Sequence, residues 1–287
     1  MKVSIIGVGD MGIDVAGHVN KGGHEVTAFD ISEDRCKLAR DKGITVGKDM
    51  AETVAGAEVH LVMVATDEQS ESVTRDIIKH GKKGSVVVIL ATNGPRTMQA
   101  LEKECAAVGI GFVDAPVCYG RKGAKNGTLA SLCGGSEEDI AKVTPVVDLY
   151  SRKVHHVGPV GAGQVGKACN NMLHWAHAIA NYEVLALAKK FGLDAQRMRE
   201  TLLECPGKNG TLENWDNTKF TWHEKDMDLA LDMAQELDLP LPMFGHVDQL
   251  IKFFNADQVS DLLYGEEAQY LGKPIKPLSP AEGGLGK

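Results

Sequence analysis

The 287-residue chain carries 31 Lys and Arg against 39 Asp and Glu, a formal charge of -8, so it offers nucleic acid and anionic membranes no general electrostatic attraction. Apolar residues make up 43% and charged residues 24%, ordinary globular usage that excludes a disordered or fibrous chain. At a usual domain size of about 100 to 200 residues, the length fits two domains.

Met1 to Gly7 passes directly into a strand pattern, which leaves no room for a secretory leader. No apolar run reaches the roughly 18 residues that a membrane-spanning helix needs. Cys36, Cys105, Cys118, Cys133, Cys169 and Cys205 are scattered, with no C-x-x-C pair, and read as reduced thiols. A cytoplasmic protein is expected.

Short β-branched runs at Val3–Ile6, Glu25–Phe29, Val59–Val64, Ser85–Leu90 and Gly111–Val113 alternate with helical patterns. Alternation of this kind predicts a parallel sheet. The runs are nearly all apolar rather than alternating, as strands are when helices cover both faces. A doubly wound α/β domain of the Rossmann type is therefore predicted over residues 1–160.

After the Gly-rich turn Gly158–Gly163, a helical pattern runs from Gln164 to about Lys190. At about 1.5 Å per residue it spans some 40 Å, enough to leave one domain and become the spine of the next. Helices at Ala195–Leu203, Glu224–Leu237, Met243–Asn255 and Ser260–Tyr270 follow, with no strand among them. Residues 161–287 are thus expected to form an all-α domain for substrate and oligomerisation, joined by that long interdomain helix. The Gly- and Pro-rich tail Leu271–Lys287 is expected to be irregular, frayed or laid over a partner subunit.

Gly7-Val8-Gly9-Asp10-Met11-Gly12 satisfies G-x-G-x-x-G directly after a strand and before a helix. The first Gly makes the tight turn, the second admits a pyrophosphate, and the third lets helix and strand pack. The phosphates would sit on the helix N-terminus. Asp30 ends the second strand at the place from which a carboxylate accepts from ribose hydroxyls. This favours NAD; Arg35 is the one nearby cation that could offset the charge for NADP. Strand ends Val64-Ala65-Thr66 and Ala91-Thr92-Asn93 face the same crevice and are expected to approach the nicotinamide ribose.

Asp114-Ala115-Pro116-Val117-Cys118-Tyr119-Gly120 is a strand end running into a Gly-rich loop whose N–H groups could hold a carboxylate. In the long helix, Gln164, Lys167, Asn171 and His174 share one face on a 3.6-residue period. Such a polar stripe is either solvated or lines a cleft.

With these residues in place the chain resembles the β-hydroxyacid dehydrogenase family, which includes 3-hydroxyisobutyrate dehydrogenase, tartronate semialdehyde reductase and, more distantly, 6-phosphogluconate dehydrogenase. The resemblance rests on four ordered motifs: the turn Gly7–Gly12 with its Met11, the D-A-P-V loop from Asp114, G-x-G-Q-x-x-K-x-x-N-N ending at Asn171, and Lys225-Asp226-Met227-Asp228-Leu229-Ala230. It implies Lys167 as catalytic acid/base, Asn171 as its substrate-orienting partner, Lys225 closing over the cofactor and Thr92 on the cofactor side. It also implies a homodimer or homotetramer, a small hydroxy or oxo acid substrate, and no metal.

The chain departs from the family at Cys118-Tyr119, where Ser-Gly is usual, and at His174, where an aliphatic residue is usual. Cys118, Tyr119, Gly120 and His174 are therefore the expected substrate-selecting positions. Two other readings stand beside this one. Imine reduction is performed by relatives of similar architecture that generally lack the lysine, and a non-catalytic dinucleotide-binding scaffold would bind cofactor without turnover.

Overall fold

The computed structural model describes residues 1–286. Its first part alternates β1 (Lys2–Ile6), α1 (Gly12–Lys21), β2 (Glu25–Phe29), α2 (Glu33–Asp41), β3 (Thr45–Val46), α3 (Met50–Val54), β4 (Val59–Val62), α4 (Asp67–His80), β5 (Val86–Ile89), α5 (Pro95–Ala107) and β6 (Gly111–Asp114). The strands pair in parallel in the order β3-β2-β1-β4-β5-β6, the doubly wound arrangement with its switch point at β1 and β4. Val3, Ile5, Leu61 and Val88 pack into one core layer and Ile6, Val62, Val87 and Ile89 into another. Both faces of these strands are covered, which is why their sequences show no polar alternation.

The sheet then continues through β7 (Val117–Cys118), α6 (Gly120–Asn126), β8 (Leu129–Gly134), α7 (Glu137–Val147) and β9 (Ser151–Gly158). β8 is antiparallel to β6 and β7 and parallel to β9. This extension, like β3, was not read from the sequence. β9 explains why: most of its Ser-Arg-Lys-Val-His-His-Val-Gly run is exposed or half-buried, so an edge strand carries charge where an apolar run would mark a central one.

The chain divides into two compact units, Met1–Lys167 and Ala168 onward, and the division falls within α8 (Ala162–Lys190). The second unit continues with α9 (Ala195–Leu203), α10 (Gly210–Glu213), α11 (His223–Glu236), α12 (Pro242–Ile251) and α13 (Ala256–Tyr264). Its core is aromatic. Tyr182 is fully buried, with ring centroids 4.9 Å from Phe254 and 6.1 Å from Trp215.

Two expectations about this unit need correction. The last helix starts at Ala256, where Asn255 and Gln258 form a reciprocal capping box, a signal present in the sequence. Residues assigned to its end, and the start of the supposed irregular tail, instead form a hairpin of β10 (Ala268–Tyr270) and β11 (Lys273–Ile275). Nor does the tail fray: the N–H of Leu278 donates to the Lys190 carbonyl at 2.9 Å and that of Leu285 to Phe191 at 2.7 Å. It is laid on its own chain at the end of α8, with Lys287 outside the described residues. Among those residues no helix is long and apolar enough to cross a membrane.

Candidate active site

The glycine turn joins β1 to α1. Gly7 has φ 89°, and a Cβ there would lie 2.3 Å from the Met63 carbonyl oxygen. A Cβ on Gly12 would lie 2.1 Å from the Gly7 carbonyl oxygen. The protein's own packing therefore demands both glycines. Gly9 differs, since a Cβ there meets nothing within 4 Å; it faces open space, where the second glycine of the motif admits a pyrophosphate. Met11, the N-cap of α1, makes no side-chain cap bond; the Ile13 and Asp14 N–H groups donate to the Gly9 and Met11 carbonyls, and the helix dipole at this end favours an anion.

Asp30 sits beside the turn. Its Oδ2 accepts from the Val8 N–H and its Oδ1 from the Ser32 N–H, both at 2.9 Å. A carboxylate has about four lone-pair sites, so these bonds fix its orientation and leave acceptor capacity for ribose hydroxyls. Asp10, inside the turn, forms ion pairs with Arg35 at 3.0 Å and Arg121 at 2.6 Å. Together these contacts let the residues present hold a dinucleotide.

The neighbouring strand ends have structural duties of their own. Thr66 caps α4 by accepting from the Gln69 N–H, and Gln69 Oε1 accepts from the Ala65 N–H. Val64 packs against a core layer. Thr92 lies between Ala91 and Asn93, both held by Gln164: its Nε2 donates to the Ala91 carbonyl at 2.9 Å and its Oε1 accepts from the Asn93 N–H at 3.0 Å.

Gln164 thus corrects the expectation that it lines an open polar face, for it is fully buried and pins the start of α8 to the strand end after β5. Asp114 does the same from β6, accepting from the N–H groups of Gly161 at 2.7 Å and Gln164 at 2.9 Å. Burial pushes its carboxyl up to about 6 against those bonds. Asp67 extends the brace, accepting from Asn93 Nδ2 at 2.7 Å and the Gly94 N–H at 2.9 Å. Asp67 and Asp114 were not identified as positioning residues from sequence; the available sign was a carboxylate closing an otherwise apolar strand at Asp114.

This brace places Lys167, one turn into α8, so that its Nζ donates to the Val117 carbonyl at 2.8 Å. The predicted lysine and the predicted substrate loop are therefore brought together. Within that loop Cys118 is buried, while Tyr119 is exposed with φ 79° and Gly120 has φ 52°. A tyrosine in the left-handed region is strained by about 1 kcal/mol or more. The Arg152 guanidinium lies 4.3 Å from the Tyr119 ring centroid, a stacking that holds the ring. Neither Arg121 nor Arg152 was identified from sequence, because both meet their partners through tertiary contacts.

In the second unit, Asn171 follows Lys167 by one helical turn and is 6% exposed; its Oδ1 accepts from Asn170 Nδ2 at 3.1 Å. His174 Nδ1 is 2.9 Å from Thr211 Oγ1, and its ring stands edge-on to Trp175 with centroids 4.5 Å apart. Lys225 lies in the first turn of α11. Among the described residues no three His, Cys, Asp or Glu side chains gather as metal ligands.

A strand delivered through a glycine turn onto an uncapped helix, with a carboxylate at the end of the next strand, defines a dinucleotide-binding protein. Residues 2–158 match the NAD-binding domain of 6-phosphogluconate dehydrogenase, and residues 161–263 match the NAD-binding region of NADP-dependent 3-hydroxyisobutyrate dehydrogenase. The chain is 32% identical to the 3-hydroxyisobutyrate dehydrogenase of Pseudomonas aeruginosa over 84% of its own length and 88% of the relative's. It is 29% identical to 2-(hydroxymethyl)glutarate dehydrogenase of Eubacterium barkeri, over 88% of each. Among solved structures, the 3-hydroxyisobutyrate dehydrogenase of Mycobacterium tuberculosis with L-serine superposes with a TM-score of 0.82 at 27% identity, covering 89% of this chain and 94% of that one. The chain belongs to the β-hydroxyacid dehydrogenase family. It is an oxidoreductase acting on CH–OH groups, with NAD or NADP as its cofactor.

Proposed function

We propose that the chain interconverts a small 3-hydroxy acid and its oxo acid or semialdehyde, with residues 1–160 binding the nicotinamide cofactor and 161–287 serving substrate and assembly. The observation that carries this reading is the bond from Lys167 Nζ to the Val117 carbonyl at 2.8 Å, which sets a basic amine at the mouth of a loop suited to a carboxylate.

When bound, the nicotinamide would supply the hydride acceptor or donor. Lys167 supplies the matching proton chemistry. As the hydroxyl carbon is oxidised, the hydroxyl proton passes to the Lys167 amine, and it returns when the oxo acid is reduced. The neutral amine has two N–H donors and a lone pair; with one N–H engaged at Val117, the lone pair accepts the proton of the substrate hydroxyl, and the ammonium so formed donates it back to the oxo oxygen in reduction. Asn171, one helical turn further on, orients that oxygen. Cys118, Tyr119 and Gly120 hold the carboxylate through backbone N–H groups, and His174 bounds the substrate.

The backbone of the turn formed by Gly7, Val8, Gly9, Asp10, Met11 and Gly12 cradles the pyrophosphate. Asp30 holds the adenosine ribose, Val64, Ala65, Thr66 and Thr92 approach the nicotinamide half, and Lys225 closes over it. NAD is preferred over NADP. Leu173, Val184 and Leu187 are exposed apolar residues that fall within about 60° of one another around the α8 axis on a 3.6-residue period. That stripe supports a homodimer or homotetramer built through this helix, in a cytoplasmic setting.

The test is absorbance of reduced nicotinamide for wild type and Lys167→Ala across 3-hydroxy acids and their aldehydes. Turnover in wild type that falls by about 100- to 10,000-fold in the variant is expected, the worth of the proton-transfer term. Equal rates in both proteins would remove Lys167 from the mechanism. Turnover of imines alone would replace the hydroxy-acid reading.

A further inference from the structure

Asp10 stands inside the glycine turn and binds one guanidinium on each carboxylate oxygen. Arg35 Nη2 lies 3.0 Å from Oδ1 and Arg121 Nη2 lies 2.6 Å from Oδ2. Arg35 comes from the first turn of α2, just past Asp30, and Arg121 from the first turn of α6, just past the substrate loop. The side chains are 42%, 39% and 58% exposed for Asp10, Arg35 and Arg121. Ion pairs this exposed add little to folding stability, so stability alone is a weak reason for the cluster.

Its location gives a better one. An adenosine ribose held by Asp30 would put a 2′-phosphate against that carboxylate, and Asp30 is oriented there by Val8 and Ser32. Binding such a phosphate takes a cation to offset Asp30, and a guanidinium matches its geometry. Arg35 is the arginine nearest Asp30 in the segment that follows β2, and Asp10 holds it.

We infer that Asp10 is a cofactor-selecting residue, which keeps Arg35 from a 2′-phosphate so that the seat takes NAD and rejects NADP. This rests on the dehydrogenase reading and deepens it.

Calorimetric titration of NADH and NADPH into wild type, Asp10→Asn, Arg35→Ala and the double variant tests it by binding, independent of turnover. Asp10→Asn should lower the ratio of NADPH to NADH dissociation constants by about tenfold, the scale of one charge-assisted contact to phosphate. Arg35→Ala in the Asp10→Asn background should erase that gain. Asp10→Ser should reproduce Asp10→Asn, and serves should the amide disturb the turn.

Equal tightening of both nucleotides by Asp10→Asn would overturn the inference, because Asp10 would then act on the pyrophosphate they share. A gain that survives removal of Arg35 would overturn it too. Wild type that binds neither nucleotide would instead sink the dehydrogenase reading beneath it.

Discussion

Acid should weaken the sheet of the first unit through His60, a residue with no part in the proposed chemistry. His60 is fully buried on β4; its Nδ1 is 2.7 Å from Ser4 Oγ, and its Nε2 has no hydrogen-bond partner. Burial, helped by the charge of Lys82, pushes its imidazole down from the ordinary 6.5 to about 4. At pH 5 the unfolded chain therefore binds nearly one proton at this site and the folded chain about a tenth of one. The folded pKa lies below the unfolded value, so the stability it represents is complete above the unfolded value and is lost as pH falls toward the folded one.

Integrated from pH 7 to pH 5, the loss is about 2 kcal/mol. Asp114 works the other way: its carboxyl rises from 3.8 to about 6 in the fold, so over the same interval acid returns about 1 kcal/mol. The two terms partly cancel in wild type alone. A comparison with His60→Gln removes Asp114 from the difference.

Urea unfolding followed by far-ultraviolet circular dichroism, at pH 7 and pH 5, should show wild type losing about 2 kcal/mol more than the variant. Trp175, Trp215 and Trp222 all lie in the second unit, so tryptophan fluorescence reports that unit's unfolding separately. The same pH loss in wild type and His60→Gln would refute the argument, whatever the variant costs at neutral pH.

Asp114→Asn should lower the catalytic rate about tenfold while NADH affinity changes little, because one amide cannot serve both the Gly161 and Gln164 N–H groups and Lys167 loses its placement; steady-state kinetics beside calorimetric titration separates the two. Gly163→Ala should cost about 3 kcal/mol or more, read as soluble yield and melting temperature, since a Cβ there lies 2.2 Å from the Leu132 carbonyl oxygen and 2.7 Å from Asp114 Oδ2. Arg199 is buried and donates to the Leu212 and Glu213 carbonyls and to Asp216. Arg199→Met should therefore destabilise the second unit by about 3 kcal/mol, visible in the tryptophan-fluorescence transition. Tyr119→Gly should relieve the left-handed strain and release Arg152, and a shifted ranking of acids in a substrate panel is the expected readout.

What the sequence disclosed follows from how local each signal is. β1, β4, β5 and β6 were legible because burial on both faces writes an apolar run, β2 because Val26 and Ala28 are buried within a short strand pattern, and Gly7–Gly12 because its whole motif lies within six consecutive residues between a strand and a helix. β7 is two residues long and β9 is a charged edge strand, so neither leaves a pattern. β10 was absorbed into a helix placed four residues late, and β11 into the tail expected to be irregular. In the site, Lys167 was found through its motif, but its brace of Asp67, Asn93, Asp114 and Gln164 joins residues up to 73 apart in the chain. Spacing along one sequence cannot show that Gln164 is spent on backbone rather than offered to a ligand.

The three glycines of the turn also divide by how their loss would be felt in a cell. Substitution at Gly7 or Gly12 collides with the protein itself and shows first as missing protein, cleared by quality control. Substitution at Gly9 collides with nothing the chain contains. A population carrying an alanine there would keep full abundance of an inert enzyme, a lesion invisible to any screen that scores expression and visible only to one that scores flux.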